Sequence, residues 1–205
     1  MTDTDSLPPF SCPPRCTTLV TRYGGYCFLN NAVFIAQLLL ERGIQPFIVD
    51  VDYHGGDGTA DSLADGGDSL DSSPLGGSAA HVAKLMVSLH APCDYPFLPA
   101  GLPWAVEVPP ATTWQQYEPL LREALSRRPS QARVIIVSLG FDTLEGDPDA
   151  REGHRLALRP SDFGRMRHVF EECGLPVIAV QEGGYHLADI PDAAEAFCTA
   201  LRETV

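Results

Sequence analysis

The sequence predicts an α/β protein whose mainly parallel sheet is covered by helices on both faces. The first observation is a set of short, near-continuous apolar runs rich in branched side chains, such as residues 133–140. The second is that amphipathic segments of helical length separate these runs. Apolar strands alternating with helices are typical of parallel sheets that are buried on both sides. We therefore expect a three-layer α/β/α architecture.

Each element is predicted from its periodicity and from the residues at its ends. Strands are expected over residues 46–51, 84–90, 104–108, 133–140 and 176–181. Helices are expected over residues 29–42, 58–64, 114–127, 162–173 and 191–202. Asn30 or Asn31 can cap the first helix, Gly43 ends it, and Ser161 is the expected cap of the helix over 162–173. Residues 65–79 are rich in Gly, Ser and Asp and predict a loop.

Length and cysteine usage predict one domain with reduced thiols. The 205 residues are enough for a single domain with a substantial core. Residues 1–22 form an irregular, proline-rich segment, and residues 23–205 are expected to form the domain. The six cysteines are too scattered for a disulfide framework. Cys12 and Cys16 have half of a zinc-site spacing, but no second pair completes it.

The overall charge argues against one class of partner. A net charge of −13 argues against a nucleic-acid-binding protein, which must neutralise phosphates with Lys and Arg. No apolar run reaches the length of a membrane span, and no signal-peptide pattern opens the chain. We expect a cytoplasmic protein that does not bind membranes; the sequence leaves a homo-oligomer open.

Residues 48–59 carry the strongest chemical signal. An apolar strand ends in Asp50-x-Asp52-x-His54, and alternation places these three side chains on one side of the chain. Burying them is costly unless they share a cation or a hydrogen-bond network. Carboxylate and imidazole together suit a divalent ion such as Zn²⁺. The alternative is a surface turn with polar residues.

Polar residues also follow other predicted strands. Ser88 and His90 end the second strand, Asp142 follows the strand over 133–140, and residues 182–185 follow the strand over 176–181. Ligands of open parallel sheets bind beyond the carboxyl ends of the strands. The sequence therefore predicts one site at this edge.

Four segments, taken in order, resemble the zinc-dependent histone deacetylase and acetylpolyamine amidohydrolase family. They are Gly24-Gly-Tyr-Cys-Phe-Leu-Asn-Asn31, Asp50-Val-Asp-Tyr-His-Gly-Gly-Asp-Gly-Thr59, Gly140-Phe-Asp-Thr-Leu-Glu-Gly-Asp-Pro148 and Glu182-Gly-Gly-Tyr185. The resemblance covers about residues 24–63 and 84–200. It implies an arginase-like three-layer fold, which we expect to be incomplete at the amino end.

The resemblance implies roles for individual residues. Asp52, His54 and Asp142 correspond to the ligands of a zinc ion that activates water and polarises an amide carbonyl. Tyr185 corresponds to the residue whose hydroxyl stabilises the developing oxyanion. Gly25, Tyr26 and Gly184 correspond to substrate-binding positions.

Further positions match supporting groups of the family. Asp50, Ser88 and Leu89, together with Asp52 and His54, match a structural potassium site built largely from backbone carbonyls. Asp50 and Asp57 also match carboxylates that orient two catalytic histidines.

The chain departs from the family at those histidines. The family's adjacent His-His pair falls where Cys16 and Thr17 stand, and no such pair occurs elsewhere in the chain. Gly55 stands where many members have a second histidine, and Leu98 where an aromatic residue lines the substrate tunnel. Loss of a positioned general base costs about 10²- to 10⁴-fold in rate.

Two classes of function follow from the resemblance and its departures. We expect a zinc-dependent amidohydrolase acting on N-acetyl-lysine or N-acetyl-polyamines, with activity impaired by loss of the pair. The alternative is a catalytically inactive module that binds metal or acetyl-lysine. A third interpretation, a redox or storage protein, would use Cys16 near the metal.

Overall fold

A computed structural model of the chain describes residues 29–64, 79–92 and 94–199. Its helices are α1 (Asn31–Leu40), α2 (Asp57–Ala64), α3 (Ala79–Val82), α4 (Trp114–Ser126), α5 (Pro160–Glu171) and α6 (Ile190–Thr199). Its strands are β1 (Pro46–Asp50), β2 (Met86–His90), β3 (Ala105–Glu107), β4 (Val134–Leu139) and β5 (Val177–Gln181).

The five strands form one parallel sheet in the order β3-β2-β1-β4-β5. Strand β1 lies at the centre, where Asp50 is aligned with Ser88 of β2 and with Ser138 of β4. All residues of β1, β2 and β4 are buried. The prediction of a parallel sheet with buried central strands is confirmed.

Two separate apolar cores show that the molecule has three layers. On one face of the sheet, α4, α5 and α6 pack on strand residues such as Val49 and Val137. On the other face, α1, α2 and α3 pack on alternate strand residues such as Ile48 and Ile136. This arrangement confirms the predicted α/β/α architecture.

Most predicted elements agree with the structure, and the differences lie at their ends. The Asn30 side chain caps α1 by accepting the backbone N–H of Val33 at 2.9 Å, so Asn31 is not the cap. The prediction that Ser161 caps α5 is wrong. The helix begins at Pro160, whose fixed φ suits a first helical position, and Arg159 precedes it.

Other differences have simple causes. Helix α3 has only four residues, too few for a visible periodicity, and the sequence did not predict it. The predictions for residues 1–22 and for most of the loop over 65–79 lie outside the described residues. Within the part of the chain that the structure describes, no helix is long and apolar enough to cross a membrane.

Candidate metal centre

Asp52, His54 and Asp142 lie together at the carboxyl edge of the sheet. Asp52 and His54 follow β1, and Asp142 follows the neighbouring strand β4. The His54 Nδ1 atom lies 3.0 Å from Asp142 Oδ2 and 3.3 Å from Asp52 Oδ1. One oxygen or nitrogen atom of each residue lies within 4.8 Å of the others. The arrangement offers two carboxylates and one imidazole to one ion.

Backbone groups hold both carboxylates in place. Asp142 Oδ1 accepts the N–H of Tyr53 at 2.9 Å, which leaves Oδ2 directed at His54. Asp52 Oδ2 accepts the N–H of Gly183 at 2.9 Å, while Oδ1 accepts the N–H of His54 at 2.9 Å. The candidate ligands therefore have fixed orientations.

Two glycines permit the chain to approach these carboxylates closely. A Cβ atom on Gly140 would lie 2.5 Å from Asp52 Oδ2, and one on Gly183 would lie 2.6 Å from Asp142 Oδ2. Neither position accommodates a side chain without displacing a candidate ligand. Close packing against the carboxylates thus explains why glycine stands at these two positions of the sequence motifs.

The electrostatics of the site favour a bound cation. Although burial opposes a charge on His54, its hydrogen bonds to Asp142 and Asp52 raise its pKa to about 11. Burial and the charge of Asp52 raise the pKa of Asp142. Burial, followed by the charges of Asp52 and Asp142, also raises the pKa of Glu182 to about 8. A divalent cation would offset this excess of buried negative charge, so the donor set fits such an ion.

The site is open on one side. The His54 side chain is 16% exposed, whereas the Asp142 side chain is completely buried. Leu98 lies close to Gly55, the residue after His54, because a Cβ atom on Gly55 would lie 2.5 Å from its Cδ1. The imidazole is thus the most exposed side chain of the cluster.

The predicted supporting residues lie directly behind the cluster. Asp50 and Ser88 are aligned on neighbouring strands, and both are buried, as are Leu89 and Asp57. Asp50 Oδ1 accepts the N–H of Asp52 at 3.0 Å, and burial followed by the charge of Asp52 raises the Asp50 pKa well above its usual range. The Ser88 hydroxyl accepts the N–H of Gly56 at 3.2 Å.

The remaining predicted residues are only partly placed. Tyr185 and Gly184 lie in the segment that joins β5 to α6, two residues or fewer from Gly183, which contacts both carboxylates. Tyr185 is half-buried. The predicted substrate-binding residues Gly25 and Tyr26 lie outside the described residues.

Asp147 is a residue near the site for which the sequence predicted no role. The buried Asp147 carboxylate accepts the backbone N–H groups of Tyr185 at 2.7 Å and His186 at 3.1 Å. It belongs to the motif over 140–148, but no local pattern shows that its partners lie 38 and 39 residues away.

Comparison with known proteins identifies the family. The family model "Histone deacetylase domain" matches residues 17–201. The chain belongs to the histone deacetylase family. The candidate metal ligands of this deacetylase-family chain lie within the matched residues.

The curated relatives include acetylpolyamine amidohydrolases and histone deacetylases. The chain is 32% identical over 189 residues to the acetylpolyamine amidohydrolase of Mycoplana ramosa, covering 87% of this chain and 51% of the relative. It is 28% identical over 196 residues to histone deacetylase 8 of Xenopus tropicalis, covering 86% of this chain and 46% of the relative. This deacetylase-family chain therefore spans about half the length of the curated relatives it matches.

A solved structure shows the same fold. The acetylpolyamine aminohydrolase of Burkholderia pseudomallei superimposes with a TM-score of 0.68 and is 26% identical. The match covers 86% of this deacetylase-family chain and 50% of that protein. The deacetylase-like α/β fold is thereby confirmed.

Proposed function

We propose that the chain binds Zn²⁺ through Asp52, His54 and Asp142 and hydrolyses the amide of an N-acetylated amine. The observation that carries this proposal is the convergence of the three candidate ligands within 4.8 Å at the open carboxyl edge of the sheet. Two carboxylates and one imidazole leave coordination positions free for reactants, as a catalytic site requires. N-acetyl-lysine and N-acetyl-polyamines are the two proposed substrate classes, following the names of the relatives.

Each participant has a distinct part in the proposed reaction. When bound, zinc lowers the pKa of a coordinated water and polarises the amide carbonyl. The hydroxyl of Tyr185 donates a hydrogen bond to the carbonyl oxygen as negative charge develops there. Gly25, Tyr26 and Gly184 contact the substrate, and Leu98 lines the entrance.

Two carboxylates keep a supporting role in this proposal. Asp50 supports the cluster through its hydrogen bond to the backbone of Asp52. Asp57 lies buried at the first position of α2, beside the same edge of the sheet. Neither carboxylate has the adjacent histidine partners of the family, because the sequence has no His-His pair.

The absence of the His-His pair lowers the expected rate of hydrolysis but leaves the three candidate metal ligands in place. A positioned general base contributes about 10²- to 10⁴-fold to the rate, so we expect turnover slower by that factor than with the base present. Metal binding depends on the three candidate ligands and is expected to persist.

The same observation favours a second candidate function, a module that binds metal or acetyl-lysine without hydrolysis. The two candidates agree on metal binding and differ only in turnover. Hydrolysis that falls strongly in Tyr185→Phe, with the metal retained, would contradict the binding module.

A direct test compares hydrolysis with metal binding in the same preparations. Zinc-loaded protein is incubated with a fluorogenic acetyl-lysine amide and, separately, with an N-acetylated diamine; Asp142→Ala is the blank. A rate above the blank on either substrate supports the amidohydrolase and identifies its substrate class. The binding module would be established instead if the unmodified chain and Asp142→Ala gave equal rates and only the unmodified chain bound zinc.

We also propose K⁺ as a structural ion held near Asp50, Ser88 and Leu89. The burial of all three residues and the alignment of Asp50 with Ser88 support this placement. The test is thermal unfolding in KCl and in NaCl at equal ionic strength. A higher unfolding temperature in KCl is expected, and identical temperatures would contradict the proposal.

A further inference from the structure

We propose that Asp147 is a positioning residue that fixes the segment 183–186 and, through it, the catalytic Tyr185. The inference rests on the proposed function, since it gives Tyr185 a reaction to serve. Within the described residues, the Asp147 carboxylate accepts hydrogen bonds from Asp149, Tyr185 and His186 rather than from the candidate metal ligands, so its effect would be indirect.

The Asp147 carboxylate accepts hydrogen bonds from two successive residues of this segment. Its Oδ2 atom accepts the N–H groups of Tyr185 at 2.7 Å and His186 at 3.1 Å. Its Oδ1 atom accepts the N–H of Asp149 at 2.9 Å. Asp147 is completely buried. Charge-assisted hydrogen bonds to a buried carboxylate are about twice as strong as neutral ones.

The other end of the segment is attached to the metal centre itself. Gly183 donates its N–H to Asp52 Oδ2 at 2.9 Å, and its carbonyl accepts the N–H of Phe141 at 2.7 Å. Between the two attachments, Gly184 has a φ of +136° and lies against Phe141, where a Cβ atom would come within 2.6 Å. The segment is therefore held by Asp52 at one end and by Asp147 at the other.

This double attachment determines where the backbone of Tyr185 lies relative to the candidate ligands. Asp142 and Asp147 belong to the same connection between β4 and α5, so that connection supplies one candidate ligand and also holds the tyrosine. A misplacement of about 1 Å at a reacting group can cost about 100-fold in rate. Weakening the attachment at Asp147 should therefore slow the reaction while the metal stays bound.

The test is the variant Asp147→Asn, which keeps the shape of the side chain and removes its charge. Asp192→Asn, at an exposed position of α6, is the matched control. We expect Asp147→Asn to lower kcat about 100-fold, with KM and zinc affinity close to those of the control. We also expect faster hydrogen exchange of the Tyr185 and His186 amides.

A double variant separates positioning from general support of the fold. If Asp147 acts through the Tyr185 hydroxyl, adding Asp147→Asn to Tyr185→Phe should cause no further loss of kcat. An equal fractional loss in both backgrounds would overturn the inference. Unchanged exchange of the two amides in Asp147→Asn would overturn it as well.

Failure of the proposed function would give a different result. If the unmodified chain shows no turnover, the proposed hydrolysis fails, yet amide exchange still decides whether Asp147 holds the segment. Should Asp147→Asn not fold, Asp147→Glu keeps the charge and lengthens the side chain by one methylene. It should lower kcat with zinc affinity retained, and an unchanged kcat would contradict the inference.

Discussion

The two carboxylates of the candidate metal centre use their oxygens for two different tasks. In Asp142, Oδ1 is held by a backbone N–H while Oδ2 faces the imidazole of His54. In Asp52, Oδ2 holds Gly183 and Oδ1 lies on the imidazole side. Because backbone hydrogen bonds fix these orientations, little side-chain conformational entropy remains to be lost when an ion binds. Preorganised ligands of this kind favour tight and selective metal binding.

Removal of the imidazole should therefore weaken metal binding strongly. We expect His54→Ala to lower zinc affinity by more than the roughly 10- to 100-fold cost of losing a group that only orients a ligand. His168→Ala, on the exposed side of α5, is the control and should keep the affinity. Competition with a chromophoric chelator measures both, and an equal affinity would remove His54 from the ligand set.

Zinc binding should also release a proton and weaken with acid. A metal binds neutral imidazole, whereas the neighbouring carboxylates raise the His54 pKa to about 11, so the free site holds a proton at neutral pH. As the pH falls from 8 to 6, proton competition increases and the affinity should fall. Calorimetry in buffers of different ionisation enthalpy measures the release; a buffer-independent heat would contradict it.

Local patterns were enough to predict the candidate ligands but not the groups that hold them. Asp52 and His54 stand in one alternating motif, and Asp142 follows a clear strand, so strand ends alone placed them at one edge. Tyr53 and Gly183 hold the candidate ligands, and Asp147 holds Tyr185, through hydrogen bonds to backbone N–H groups that span 38 to 131 residues. Such contacts depend on the tertiary fold and leave no periodic signal.

Helix α1 is joined to α2, in the same layer, through its N-cap residue Asn30. The Asn30 side chain accepts the N–H of Val33 at 2.9 Å and donates to the Thr59 hydroxyl at 2.8 Å, so one amide caps α1 and joins it to α2. Both Asn30 and Thr59 are buried. The loss of this side chain would leave a helix terminus and a buried hydroxyl without their hydrogen bonds.

Asn30→Ala should therefore lower the free energy of unfolding by about 1–2 kcal/mol. Asn31→Ala, at the exposed neighbouring position, should change it by less than about 0.5 kcal/mol. Urea denaturation of the metal-free proteins measures the difference. Equal stability of the two variants would show that the hydrogen bonds of Asn30 contribute nothing measurable.

The segment between β5 and α6 should tolerate no side chain at Gly183. In Gly183→Ala the new Cβ would overlap Asp142 Oδ2, so we expect lower zinc affinity with the overall fold retained. Gly101→Ala is the control: its Cβ meets open space, but its φ of +81° costs about 1–2 kcal/mol of stability. It should keep zinc affinity. A normal zinc affinity in Gly183→Ala would show that Asp142 moves without cost.

Prediction of elements succeeded where the signal was continuous and failed where it was short. The apolar strands were located to within about two residues, because each has a run of branched side chains. Helix α5 starts earlier than its Ser161 suggests: serine is a common cap, but Pro160 already occupies the first helical position. In the structure the Asp162 carboxylate accepts the Arg159 N–H at 2.9 Å, so the third helical residue supports the start.

At the scale of the whole molecule, the β5 edge of the sheet is less well covered than its central strands. Among the described strands, β5 lies at an edge of the sheet and has no fully buried residue, although four of its five residues are apolar. Parallel strands are normally buried on both faces, and exposed apolar edges promote association. The chain also spans about half the length of its curated relatives. The β5 edge is therefore where this chain by itself is expected to self-associate.

A single charge on that edge should reduce the association. Ala179 is the exposed apolar residue in the middle of β5, and Ala179→Lys places a charge on the pairing edge without disturbing a buried side chain. Gln115→Lys, at an exposed position of α4 on the layer over β2, adds the same charge elsewhere. Light scattering over a range of concentrations should show a lower apparent mass for Ala179→Lys only. The same reduction in both variants would show that the effect is not specific to β5, and no reduction in either would exclude β5 as the site of association.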